Sequence, residues 1–246
     1  MSDNRLLKGT AAMIDTTRVR KLPALALATV LSTTLVAACG SNTTELQPAA
    51  AGAPASHTMS MPATTGSYQK QADLYATMTA LWEQHMEWTY ATVVAFASGS
   101  PSLTPTLDRL LRNQSDIGDA IKPFYGGQAA AQLTALLKKH ITDAVPVLTA
   151  AKAGDTAALN TAVAAWYANA QQIGDFLAAA NPNWSKADME QMLKSHITQT
   201  ITYATDALKG QHAKLIKDYD VAEQHMVEMA AMLSAGLIQQ FPAKFS

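Results

Sequence analysis

The chain has a single cysteine, Cys39, in 246 residues, so neither an intramolecular disulfide nor a cysteine-built metal cage can form. It also has no excess of either charge. Lys and Arg number 18 against 19 Asp and Glu, a formal net charge of -1, which leaves no electrostatic footprint for a nucleic-acid partner. Runs of alternating β-branched residues and hairpin dipeptides are missing, so strands are not expected. No Gly-x-Ser-x-Gly elbow, phosphate-binding glycine loop or Ser/His/Asp arrangement can be read. With no catalytic motif, a binding or structural role is expected ahead of an enzymatic one. Aromatic residues make up only 7%, while 48% of the chain is hydrophobic. Much of that fraction is alanine, a composition that favours closely packed helices. An all-α fold follows.

Residues 18–39 read RVRKLPALALATVLSTTLVAAC: a basic stretch, an apolar run, then small residues up to the cysteine, which is the order of an export signal. The apolar run contains Thr29, Ser32, Thr33, Thr34 and a proline, and is shorter than the ~20 apolar residues that span a bilayer. Met13 would open a more ordinary signal than Met1. The junction Val36-Ala37-Ala38-Cys39 resembles the lipobox of bacterial lipoproteins. That resemblance implies removal of residues 1–38 and lipidation of Cys39, with the membrane as partner through the anchor. Gly40 in the next position resembles lipoproteins sorted to an outer membrane, facing the periplasm, if the source has two membranes. Residues 39–68, rich in Gly, Ser, Thr, Pro and Ala, read as a flexible tether. Residues 69–246 read as the folded domain.

Within 69–246, helical spacing between breakers predicts about six helices in an antiparallel bundle. They cover about 71–98, 104–122, 127–153, 155–180, 185–209 and 212–240. Thr104 followed by Pro105, then Asp155, then Ser185 with Asp188 are the expected N-terminal caps. Gly99, Gly154 and Gly210 are the expected stops. Sliding the chain against itself aligns Asn113, Ile117, Gly118 and Asp119 with Asn169, Ile173, Gly174 and Asp175, 56 residues on. Leu137, Lys138, His140, Ile141 and Thr142 align likewise with Leu193, Lys194, His196, Ile197 and Thr198. An internal helix-pair repeat is expected from this. The flanking helices each carry Glu-Gln-His-Met, at 83–86 and 223–226.

Four of the six histidines, His85, His140, His196 and His225, fall near the midpoints of their helices. The first three lie on the apolar seam, as in Leu74, Met78, Leu81, His85, Trp88, Thr92. His225 sits on the shoulder of the Ala222, Met226, Met229, Leu233 stripe. Asn113 and Asn169 fall at the midpoints of the second and fourth helices, so a polar belt across the bundle is expected. Histidine is a common metal ligand and bundle cores are a common place for one. The four histidines are therefore candidates for holding a transition metal, copper, zinc or iron, or a small ligand. The alternative is a structural hydrogen-bond network without a ligand. The Glu-x-x-His pattern of di-iron bundles is not met, because Trp82, Leu137, Leu193 and Ala222 stand where the carboxylates belong. The segment Trp82-Glu83-Gln84-His85-Met86-Glu87-Trp88-Thr89, with the Ile-Gly-Asp segments, resembles an uncharacterised bacterial family sharing a Trp-Glu-x-His-x-x-Trp-Thr element over most of 72–241. That family implies no activity, and Tyr90 stands where it suggests a basic residue. No protein partner can be read from the chain.

Overall fold

The computed structural model describes residues 63–246. The signal segment, Cys39 and residues 39–62 of the tether lie outside them. The described residues form five α-helices: α1 (Ala63–Ser98), α2 (Leu103–Ala153), α3 (Thr156–Ala180), α4 (Lys186–Leu208) and α5 (His212–Gln240). A short 3₁₀ turn, Pro242–Lys244, follows. Among the described residues no strand occurs and no helix is long and apolar enough to cross a membrane. Each helix packs on its neighbours in sequence, and α5 returns to α1 to close the bundle.

Two boundaries differ from the sequence expectation. Helix α1 starts at Ala63, so the last residues assigned to the tether are helical. The second and third expected helices adjoin without a loop as the two arms of one element, α2, with Pro123 in the first arm and Pro146 in the second. The chain breaks inside α2 at Gly126 instead, with φ 81° and ψ 173°, a conformation open to glycine and costly for other residues. One residue thus makes the turn for which Pro123 suggested a loop. The two arms of α2 lie against each other: a Cβ added to Gly118 would overlap Thr134 Oγ1 and sit 2.9 Å from Ala130 O.

The caps follow local chemistry. Asp155 accepts from Ala158 N at 3.0 Å, and Ser185 Oγ accepts from Asp188 N at 3.1 Å while donating to Asp188 Oδ2 at 2.6 Å. At α2 the N-cap is Ser102 rather than Thr104, without a side-chain bond. Gly99, Gly154 and Gly210 all adopt left-handed backbone, with φ of 66°, 71° and 66°, and end α1, α2 and α4 respectively. Methionines serve as filling for the core: Met78, Met86, Met189, Met226 and Met229 are all buried.

Gly236 on α5 marks a second close approach. A Cβ there would overlap Trp184 Nε1 and lie 2.8 Å from Cε2 of the same buried ring. Gly236→Ala is expected to cost about 1–3 kcal/mol by overpacking, despite the gain in helix propensity. Urea unfolding of the variant against wild type measures it; an unchanged or raised midpoint would show that the ring moves freely.

Candidate functional site

His85 on α1, His140 on the second arm of α2 and His196 on α4 each occupy a core position of a 3–4 seam. The residues one turn or two before them are buried as well: Met78 and Trp82, Leu133 and Leu137, Met189 and Leu193. Antiparallel packing brings the three helix midpoints together, so the rings meet. Centroids of His85 and His196 are 5.5 Å apart, and those of His140 and His196 5.7 Å. Trp82 packs edge-on against His85 at 5.7 Å, and Trp166 lies 5.3 Å from His140. All three imidazoles are buried, at 2%, 4% and 3% exposure for His85, His140 and His196.

The neighbouring amides determine which nitrogen of two of these rings carries the proton. Asn169 Nδ2 donates to Leu136 O at 3.2 Å, which leaves Asn169 Oδ1 to face His140 Nδ1 at 2.9 Å. An amide oxygen only accepts, so the His140 proton is on Nδ1 and Nε2 presents a lone pair. In the other direction, Asn113 Nδ2 donates to Leu81 O at 3.0 Å, and its Oδ1 accepts from Gln114 Nε2 at 3.1 Å. Gln114 Nε2 also donates to Leu110 O at 2.9 Å and stands 3.2 Å from His85 Nδ1. Facing an NH₂ group, Nδ1 of His85 must be bare, so its proton is on Nε2. His140 Nε2 and His196 Nδ1 are buried without a hydrogen-bond partner from the protein.

Burial keeps these rings neutral. Loss of solvation lowers the His85 pKa to about 3, with His140 nearby adding to the effect and the Gln114 contact opposing it. Loss of solvation likewise lowers His140 to about 4, opposed by its bond to Asn169 and by Asp143. His196 is pushed well below the ordinary histidine value, again chiefly by burial and then by the other histidines.

His225 does not join the other three as an equal. It is half-buried on α5, near enough to His196 to affect it, but its Nε2 is engaged with Met192 O at 2.9 Å. Against a carbonyl, that nitrogen must be the donor. It acts as the asparagines do, since Asn113, Asn169 and His225 each bond a backbone carbonyl, of Leu81, Leu136 and Met192, on the preceding helix segment. Among the described residues no three His, Cys, Asp or Glu side chains are placed to hold one metal ion. His85, His140 and His196 converge, while His225 stands apart from them with its Nε2 on Met192 O.

A cavity lies directly against the three converging imidazoles. Its volume is about 90 Å³. His85, His140, His196, Thr200 and Trp166 form its inner end. From there it runs past Thr92 and Ala204 to Leu107, Leu159 and Leu208, toward the end of the bundle where α1, α2 and α4 terminate. No charged side chain lines it. Gln114 and Trp166 escaped the sequence reading. Gln114 was legible only as the neighbour of Asn113, and Trp166 only as an apolar position of α3.

Residues of the Trp-Glu-x-His-x-x-Trp-Thr element support this layer. Thr89 Oγ1 donates to His85 O at 2.6 Å, and Trp88 lies under the Arg109 guanidinium at 5.4 Å. Fold and site together define an all-α bundle with a neutral histidine layer and an adjoining apolar cavity. Compared with known proteins, the chain matches no family model, no curated protein and no solved structure.

Proposed function

We propose that this chain is an exported, lipid-anchored protein of the cell envelope whose bundle holds a small ligand in the histidine-lined cavity. One observation carries the binding part: His140 and His196, each with a buried ring nitrogen that has no protein partner, line the same cavity. An unsatisfied buried polar group costs about 1–3 kcal/mol, and a core of leucines at these positions would avoid that cost. A ligand group inside the cavity offsets it. Protein extracted from membranes without an affinity tag, examined by native mass spectrometry and elemental analysis, tests this. A stoichiometric small molecule is the expected result. One copper, zinc or iron per chain would replace it with the metal reading and would require the rings to rotate. Neither would leave the layer structural.

The structural reading has its own support. Carbonyls of Leu81, Leu136 and Met192 accept from Asn113, Asn169 and His225, and the three donors are spaced by 56 residues in the chain. The glycines that end the preceding segments, Gly99, Gly154 and Gly210, recur at nearly the same interval. We read the domain as three successive helix pairs: α1 with the first arm of α2, the second arm of α2 with α3, and α4 with α5. In each, the polar residue at the middle of the second helix ties it to the first and sets its height. That role holds with or without a ligand.

Anchoring rests on the junction Val36-Ala37-Ala38-Cys39. Two or three acyl chains on one residue give stable attachment, because each buried CH₂ contributes about 0.8 kcal/mol. Cys39→Ser is expected to move the protein from the membrane fraction to the soluble one or to leave it unprocessed. Unchanged fractionation and mass of the variant would remove the anchor from the proposal.

A further inference from the structure

The tautomers assigned by the two amides make the polar end of the cavity chemically asymmetric. His85 has its proton on Nε2, the nitrogen away from Gln114, and so can donate. His140 has a bare Nε2, away from Asn169, and so can only accept. Between them His196, 5.5 and 5.7 Å from the two rings, has no bond that assigns its tautomer, and its Nδ1 lacks a protein partner. The cavity therefore offers one imidazole donor, one imidazole acceptor and one imidazole able to be either, beside Thr200 Oγ1 and Trp166 Nε1, which also lack a protein partner. Beyond the rings the wall is formed by Val147, Leu148, Leu159, Ile201 and similar groups, with no charge to neutralise an ion.

Resting on the ligand-binding reading above, we infer that the cavity takes a neutral, mainly apolar molecule bearing a hydroxyl group. The hydroxyl lies against His85, His140 and His196, and the hydrocarbon part runs toward Leu107, Leu159 and Leu208. Of the common functional groups a hydroxyl is the compact one that donates and accepts through a single atom, which is what the donor–acceptor pair requires. A carboxylate would meet no cation and would face the lone pair of His140. An ammonium would lose its hydration to a wall with no anion to balance its charge. The size is bounded as well. A cavity of 150 Å³ accommodates benzene, so about 90 Å³ suits a buried portion of roughly four or five heavy atoms.

The test uses the full chain carrying Cys39→Ser, titrated calorimetrically with n-butanol and with n-butyl chloride. Chlorine, about the size of a methyl group and so somewhat larger than the hydroxyl, keeps the four-carbon chain and supplies no proton. Butanol is expected to bind about tenfold more tightly, the effect of one to two neutral hydrogen bonds. His140→Leu removes the acceptor, and His196→Leu removes a ring whose loss orphans no amide, so at least the second variant retains its fold. In either, the preference for butanol is expected to fall toward onefold while the chloride still binds. Equal binding of the two probes to wild type, or a preference that survives both substitutions, overturns the hydroxyl assignment. An ionic metabolite or a metal found in the isolated protein overturns it too, yet leaves the ligand-binding reading standing. Binding of neither probe, with nothing bound in the isolated protein, ends both.

Discussion

Lowering the pH from 7.5 to 5.5 is expected to remove about 4 kcal/mol of folding stability. In the folded chain the pKa values of His85, His140 and His196 are depressed, to about 3 and about 4 for the first two and well below 6.5 for the third. All three are therefore still neutral at pH 5.5 when folded. In the unfolded chain each titrates near 6.5, and at pH 5.5 each is mostly protonated. The unfolded state thus binds up to three more protons, and stability falls as pH drops below the unfolded value of 6.5 toward the depressed folded values, about 3 for His85 and about 4 for His140. One unit below an unfolded pKa of 6.5, each histidine favours unfolding by about 1.4 kcal/mol. Above about pH 7 the contribution is fully present. Since domains have only about 5–15 kcal/mol in total, the loss is large. Urea denaturation at the two pH values measures it. Equal midpoints would mean that the imidazoles are not held neutral in the core.

Replacing two of these histidines by the same residue is expected to change stability in opposite directions. His196 Nδ1 has no hydrogen-bond partner in the protein, and in ligand-free protein His196→Leu removes a buried polar ring without orphaning an amide as His140→Leu does. A gain of about 1–3 kcal/mol follows, roughly 2–12 °C in melting temperature for a domain of this size. His140→Leu leaves Asn169 Oδ1 without the proton it accepts at 2.9 Å, in a residue that is 1% exposed, and is expected to lose about 1–3 kcal/mol. The two variants should therefore differ by several kcal/mol although both swap a buried imidazole for the same hydrocarbon. The pair also bears on function, because a residue that costs stability where it stands is retained for something other than folding. If both substitutions destabilise equally, His196 has a partner inside the folded protein, and the argument from its unpaired nitrogen fails.

The repeated Glu-Gln-His-Met shows how far local pattern reaches. In α1 the 3–4 spacing of Leu74, Met78, Leu81, His85, Trp88 and Thr92 was enough to place His85 inside, where Met78, His85 and Thr92 are buried. But Trp82 and Met86 take the core while Leu81 and Trp88 stay half-buried. In α5 the same tetrapeptide is turned: Ala222, Met226 and Met229 take the core and His225 stays on the edge. The spacing showed that as well. It did not show that the edge position would lead His225 to the carbonyl of Met192. That carbonyl lies 33 residues earlier and comes within reach only once α4 and α5 pack.

What the chain determined by itself is whatever depends on neighbours within a turn or two. That includes the all-helical character, the apolar faces, the caps at Asp155 and Ser185, the left-handed glycines that end helices, and the burial of His85, His140 and His196. Covalent proximity makes those outcomes nearly independent of the rest of the fold. Tertiary structure alone decided the turn at Gly126 in place of a loop after Pro123, since the close approach of Gly118 to Thr134 ties the two arms of α2 together. It alone decided the protonated nitrogens of His85 and His140, because each is dictated by an amide on another helix segment. It also decided that three histidines, not four, border a common cavity. Periodicity specifies the direction in which a residue leaves its helix, whereas a site depends on what stands opposite, and that is set by packing between segments remote in sequence.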